Sequence, residues 1–177
     1  MKKRYSYIAY YGLLTALALL LSFLESLVPI PIAVPGIKLG LANLVVLFAL
    51  YQVGPLSALI LSLCRVILAA LLFSGFSGLM FSAAGAALSW TIMVLLKKIK
   101  CFSIRGVSLA GGLSHNLGQL IMAALYTHSP GIIPAYMPVL MIAGAAMGLI
   151  NGKVAAGVIR ALQVNPVTKK ALSHLRK

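Results

Sequence analysis

Aspartate is absent from this chain, and Glu25 is its only acidic residue. Catalysis by paired carboxylates is thereby excluded, since one carboxyl group cannot serve as both acid and base partner. Cysteine is scarce as well. Cys64 and Cys101 lack any CxxC spacing, and Cys64 lies in an apolar run, so the expectation is two free thiols, with no disulfide framework and no metal site. Charged residues make up 9% of the 177 positions against 62% hydrophobic, and the mean hydropathy of +1.06 lies far above that of a water-soluble domain. A soluble enzyme is ruled out.

The charge that is present has one sign: 15 Lys and Arg against one acid leave a formal net charge of +14. Basic chains often bind nucleic acid, but here the positive residues fall in short runs between long apolar stretches. That is the topology signal of an integral membrane protein, and no nucleic-acid partner is expected. Met1-Lys2-Lys3-Arg4 resembles the start of a secretory signal. The apolar stretch continues from Tyr5 to Val28 without a small-residue cleavage site, so it reads as a retained transmembrane helix.

About 20 apolar residues are needed to cross a hydrocarbon core roughly 30 Å thick. The first span is Tyr5 to Val28, followed by Pro29 to Gly36, whose three prolines cannot continue a helix. The second, Leu39 to Gln52, covers only about 21 Å, so it is either extended by its flanks or a short helix beneath an infolded Pro-rich loop. The third runs from Pro55 to Phe73 and the fourth from about Ser77 to Leu96, separated by Ser74-Gly75-Phe76-Ser77-Gly78. The fifth is Val107 to Tyr126, and the sixth runs from about Ile133 to Ile159. The expected architecture is all-α, a transmembrane domain of six helices over residues 1–161 and a basic tail over 162–177.

Lys2, Lys3 and Arg4, then Lys97, Lys98, Lys100 and Arg105, then Arg160, Lys169, Lys170, Arg176 and Lys177 fall on one side of six spans. The positive-inside rule makes that side the cytoplasm, with both termini there and the protein multi-pass in the cell membrane. Internal repetition is weak: Gly40-Leu41-Ala42-Asn43-Leu44 has a loose counterpart in Gly112-Leu113-Ser114-His115-Asn116-Leu117. If the two segments are equivalents, they mark where transporters tend to bind their cargo.

Polar residues within spans carry the information, because a charge in the bilayer normally faces the protein interior or a water-filled cavity. Tyr11, Thr15, Ala18, Ser22 and Glu25 form one stripe of span one. Glu25 is an interfacial carboxylate, the partner of a buried arginine, or a ligand or proton site. Arg65 lies mid-span on a face with Ala58, Ser62 and Ala69 and stays protonated, so it needs a counter-charge. Depth argues against Glu25, which leaves backbone carbonyls, water or an anionic ligand. His115, Gly118, Gln119, Met122 and Tyr126 share a face of span five that begins with Gly111 and Gly112, with Asn116 adjacent. Gly144, Gly148 and Gly152 form a small-residue ridge suited to helix packing, with Asn151 and Lys153 toward its cytoplasmic end. Lys38 sits at the outer mouth. Together with Arg65 and His115 it biases a cavity toward phosphate, carboxylate or an electron-rich ring system.

Pro35-Gly36-Ile37-Lys38-Leu39-Gly40-Leu41-Ala42-Asn43, Phe73-Ser74-Gly75 with Leu79 to Gly85, and Ser114-His115-Asn116-Leu117-Gly118-Gln119-Leu120 resemble the Gx transporter family, often labelled heptaprenyl diphosphate synthase component I. The resemblance covers nearly the whole chain through span six. That family is grouped with the substrate-binding S components of energy-coupling factor (ECF) transporters. The resemblance implies a six-helix S-component-like bundle, an outward cavity capped by the loop after helix one, and docking on a transmembrane coupling subunit and two ATPases. The docking motif of helix one, classed by two alanines four apart, matches Gly12 and Ala16 here, which keeps the smallness while departing from the pattern. The synthase label conflicts with the chemistry. Prenyl chain elongation holds magnesium with Asp-rich clusters, which this chain lacks, and it also has no GxxxxGK[ST] phosphate loop.

The expectation is therefore a non-enzymatic, membrane-embedded subunit that binds a small vitamin or cofactor precursor, anionic or flavin-like, with no cofactor of its own and with membrane lipids around it. Lys38, Asn43, Arg65, His115, Asn116 and Gln119, with Glu25 as a further polar contact, form the expected site, and Gly12 and Ala16 the docking face. The rival expectations are a proton-coupled secondary transporter using Glu25 and His115, or a non-catalytic membrane subunit associated with prenyl or quinone synthesis.

Overall fold

The computed structural model of the protein describes residues 2–27, 38, 40–99 and 101–164, with side chains described from residue 8 to residue 163 within these ranges. The Pro-rich segment Pro29 to Gly36, the side chains of the N-terminal basic run and the tail after residue 164 lie outside the described residues. The described chain forms α1 (Lys2–Ser26), α2 (Asn43–Gln52), α3 (Pro55–Ala69), a π-helical turn (Ala70–Ser74), α4 (Gly75–Lys98), α5 (Ile104–Tyr126) and α6 (Ile132–Val164). No strand occurs among the described residues. The sixth helix runs past residue 161, so the expected start of the tail falls inside it.

Side-chain contacts fix the directions of the helices. Tyr11 of α1 meets Ser57 of α3 (2.7 Å), and Ser22 meets Arg65 (3.2 Å), so α1 and α3 run parallel. Trp90 Nε1 donates to the Pro55 carbonyl (2.9 Å), which makes α3 and α4 an antiparallel hairpin. The reversal is tighter than the five-residue Gly-rich loop expected from sequence. Gly75, at φ +64°, takes a backbone conformation that side chains disfavour, and α4 starts there. Ser89 Oγ donates to the Gly111 carbonyl (2.9 Å) across α4 and α5, and Ser108 Oγ to the Gly148 carbonyl (2.7 Å) across α5 and α6. Ser103 caps α5, its Oγ accepting the Gly106 N–H (3.2 Å).

Among the described residues, three helical segments are long and apolar enough to cross a membrane: Ile8–Ser26, Pro55–Lys98 and Ile132–Gln163. The middle one is the α3–α4 hairpin folded at Gly75. The 23 residues of α5 are long enough, but buried Ser108, Ser114, His115, Asn116 and Gln119 lower its hydropathy. The molecule is arranged inside out relative to a water-soluble bundle. Leu13, Leu56, Leu71, Leu72, Phe76 and Ile142 are exposed, while Ser22, Glu25, Arg65, His115 and Gln119 are buried. This pattern fits a membrane protein.

The ten residues of α2 span about 15 Å, less than a bilayer core. Of the two alternatives for this segment, the short helix is the one formed, and it begins at Asn43 rather than Leu39. Val45, Val46, Leu47, Ala49 and Leu50 are all buried, as expected of a helix that is apolar on every side. They pack with Leu14 and Ala18 of α1, Ala58 and Leu61 of α3 and Ala155 of α6 into the larger core. Its C-terminal end receives a cation: Lys97 Nζ donates to the Leu50 carbonyl (2.6 Å) and lies 5.0 Å from the centroid of the Tyr51 ring.

The expected ridge of α6 is a helix-packing surface, and its partner is α5. A Cβ on Gly112 would lie 2.3 Å from the Gly144 carbonyl oxygen, and one on Gly148 would lie 2.8 Å from Leu109 Cα. Backbone meets backbone there, with no flexible side chain to give way. Gly12 of α1, by contrast, has nothing within 4 Å of a Cβ. Gly148→Val is therefore expected to cost about 1–3 kcal/mol through overpacking, read as a lowered thermal midpoint in detergent. Gly12→Ala leaves the midpoint unchanged, and an equal drop in both variants contradicts the packing assignment.

Candidate functional site

The connector after α1 enters the bundle at Lys38 and Gly40, and polar bonds from α1, α5, α6 and the α3–α4 reversal hold these two residues. Lys38 N–H donates to Gln119 Oε1 (2.8 Å), and Gln119 Nε2 returns a bond to the Lys38 carbonyl (2.8 Å). This reciprocal pair lets the α5 amide replace the neighbouring strand or turn that the Lys38 backbone lacks. Lys38 Nζ donates to Ser74 Oγ (2.7 Å) at the α3–α4 reversal and lies 5.2 Å from the Phe73 ring centroid. Gly40 N–H donates to Glu25 Oε1 of α1, and its carbonyl accepts from Asn151 Nδ2 of α6 (3.0 Å).

Gly40 has φ +93°, and a Cβ there would lie 3.2 Å from Asn43 Nδ2 and 3.3 Å from His115 Cδ2. The backbone conformation thus favours glycine, and a side chain there would also press on Asn43 and His115. On its other side His115 lies against bare α4 backbone, since a Cβ on Gly85 would come within 2.9 Å of His115 Cε1. The imidazole is clamped between two glycines. Its Nδ1 is buried without a hydrogen-bond partner among the described residues, and so is Asn43 Nδ2.

Arg65 is 2% exposed, and Ala58, Ser62 and Ala69 on the same face of α3 are buried with it. Its Nη1 donates to Ser22 Oγ, but Nε and Nη2 have no hydrogen-bond partner among the described residues. Sequence reasoning set Arg65 too far in depth from Glu25. The register of α1 against α3 brings Ser22 to Arg65, which places Glu25 within one turn of the guanidinium. Even so, no guanidinium nitrogen hydrogen-bonds to Glu25 among the described residues, and Glu25 Oε1 accepts instead from the backbone of Gly40. Glu25 is buried within the bundle.

The structure therefore brings Glu25, Lys38, Asn43, Arg65, His115 and Gln119 to one buried region. Asn116 is turned away from it: its Nδ2 donates to the Leu140 carbonyl of α6 (2.7 Å), in a helix-packing role. The expected continuous face of α5 also divides, with Gly111 against Met93 of α4 and Gly112 against α6. Asn151 is a member that sequence reasoning assigned only to the cytoplasmic end. Its signal was present as a polar residue inside an apolar span, but its partner is a backbone carbonyl 111 positions away in sequence.

Lys38 lies in the connector, outside the helical spans. Burial and the neighbouring Arg65 charge push its ammonium down to about 8, with Glu25 acting in the opposite direction. With Lys38 protonated, two buried cations face one carboxylate, an excess of one positive charge beside unfilled donors. Such a site suits an acceptor-rich, negatively charged group. Among the described residues, no group of three or more His, Cys, Asp or Glu is placed to hold a metal ion.

Gly12 and Ala16 lie on the exposed face of α1, opposite the buried stripe of Ala18, Ser22 and Glu25. No curated protein and no solved structure matches this chain. Residues 14–158 match a family model, from the middle of α1 through most of α6, and this stretch contains every residue of the polar cluster. The chain belongs to the heptaprenyl diphosphate synthase component I family.

Proposed function

We propose that this protein is the substrate-binding membrane subunit of an uptake system, S-component-like, for a small vitamin or cofactor precursor with an anionic group. The observation that carries the reading is Arg65, a buried guanidinium whose Nε and Nη2 have no hydrogen-bond partner among the described residues, in the same buried region as His115 Nδ1 and the Lys38 ammonium. A bound carboxylate or phosphate supplies the missing acceptors. Energy for transport comes from separate partners, a transmembrane coupling subunit and two ATPases, and the exposed Gly12–Ala16 face of α1 is suited to close helix docking. In this reading the chain itself does no catalysis, since a single Glu side chain cannot serve as both acid and base partner. The family description favours a second reading, a non-catalytic membrane subunit of prenyl diphosphate synthesis.

Recovery of a coupling subunit and paired ATPases with the tagged protein, purified gently from native membranes, is the outcome expected. Recovery of a prenyl synthase without any ATPase favours the second reading.

In this proposal all six helices enter the bilayer, with the Lys97–Arg105 and Arg160 end in the cytoplasm and both termini on that side. The native cysteines test the orientation, since Cys101 is exposed at the basic end and Cys64 is exposed on α3 within the apolar zone. A membrane-impermeant maleimide is expected to label Cys101 only after permeabilisation, and to label an introduced Thr127→Cys in intact cells. Labelling of Cys101 in intact cells reverses the topology.

Lys38 gives the site a pH dependence of definite sign. Its positive charge is present below about 8 and is lost as pH rises through that value, so retention of an anionic co-purified ligand falls between pH 7 and 9. Lys38→Gln retains less ligand at pH 7 and shows no such fall. A pH profile identical in both proteins removes Lys38 from the site.

A further inference from the structure

At the end of the bundle remote from Glu25, a crevice of about 570 Å³ opens between the last turn of α2, the start of α5 and the last turns of α6. Tyr51 lines one wall, Ser103 and Arg105 a second, and Ile159, Arg160 and Gln163 a third. The size is that of a small-molecule site. Two guanidiniums border this one space, and the helix arrangement adds a third cation, Lys97, whose Nζ lies over the Tyr51 ring.

The composition of the chain makes this arrangement unusual. Like charges gathered around a cavity normally find carboxylates nearby, but Glu25 is the only acidic side chain in 177 residues and is held by Gly40 at the other region. No Asp or Glu side chain can therefore neutralise Arg105 and Arg160. Both guanidiniums are exposed, so an anion from outside the chain can reach them. A guanidinium presents its donors in a planar fork that matches the oxygens of a phosphoryl group in pairs. The opening turn of α5 adds backbone N–H groups without intrahelical acceptors, of which that of Gly106 is taken by Ser103.

We propose that this crevice is a second binding site, taking a phosphoryl group between Arg105 and Arg160. The phosphoryl group belongs either to the headgroup of an anionic phospholipid in the adjacent leaflet or to a soluble phosphate or diphosphate. Apolar Ile104 and Ile159 in the lining accommodate either the glycerol region of a lipid or an organic substituent. The site shares no residue with the Arg65 cluster and does not depend on the transport reading.

The test is calorimetric titration of the purified full-length protein in neutral detergent with sodium phosphate, sodium diphosphate, short-chain phosphatidylglycerol and short-chain phosphatidylcholine. Saturable binding of phosphatidylglycerol alone identifies a lipid headgroup site. Saturable binding of phosphate or diphosphate identifies a site open to soluble anions. In either case R105Q/R160Q is expected to weaken binding by about tenfold or more, and R160Q alone, at an exposed position, gives the same direction if the double variant is poorly folded. K153Q, which removes an exposed cation outside the crevice, leaves binding unchanged. Absence of saturable binding, equal binding of phosphatidylcholine, or equal weakening by K153Q overturns the proposal.

Discussion

The structure turns on one electrostatic constraint: a guanidinium is buried in a bundle whose outer surface is hydrocarbon, in a chain with a single carboxylate to offer it. Removing a charge from water costs several kcal/mol unless hydrogen bonds and opposite charge replace the solvent. Among the described residues Arg65 receives only the Ser22 hydroxyl, and Glu25, though close in depth, is directed to Gly40. The fold thus gives its carboxylate to the connector and leaves the arginine under-satisfied. In a resting structural ion pair the opposite allocation would be expected. The allocation makes sense where the arginine's remaining donors belong to something that arrives.

Everything that holds the connector follows from the same economy of polar groups. Irregular backbone at membrane depth is tolerated only when protein covers it and its amides find partners. Lys38 and Gly40 meet that condition through Gln119, Glu25 and Asn151, which come from α5, α1 and α6. Those helices can close around the connector because α5 and α6 pack backbone to backbone over Gly112, Gly144 and Gly148. The glycine ridge, the short α2 and the entry of Lys38 are one solution to a single packing problem. The Arg105–Arg160 crevice obeys the complementary rule at the basic end, where no internal acid exists and an external anion completes the surface.

Much of this was legible in the sequence. The spacing of apolar runs and basic clusters located all six helices, and the 3.6-residue period of Ala18, Ser22 and Glu25 gave the buried face of α1. The glycines four apart gave the α6 packing surface, though not its partner. What was not legible depends on register between helices. The depth of Arg65 relative to Glu25 is set by how α1 slides against α3, and composition carries no record of that. The same holds for Asn116 and Gln119, three residues apart on α5: one turns to α6 and the other to the connector. The apparent repeat is a further case. Gly40 to Leu44 forms a positive-φ turn and helix start, while Gly112 to Leu117 lies within continuous α5, so like sequences adopt unlike local structures.

The central claim is that the empty donors of Arg65 are completed by a small anionic molecule. It is tested most directly by mass spectrometry of small molecules released on denaturing the protein purified from its native membranes, comparing wild type with Arg65→Gln. The account predicts one anionic compound in near-stoichiometric amount from the wild type, strongly depleted from the variant at equal folded yield. Recovery of the same compound in the same amount from both proteins, or of none from the wild type, contradicts it.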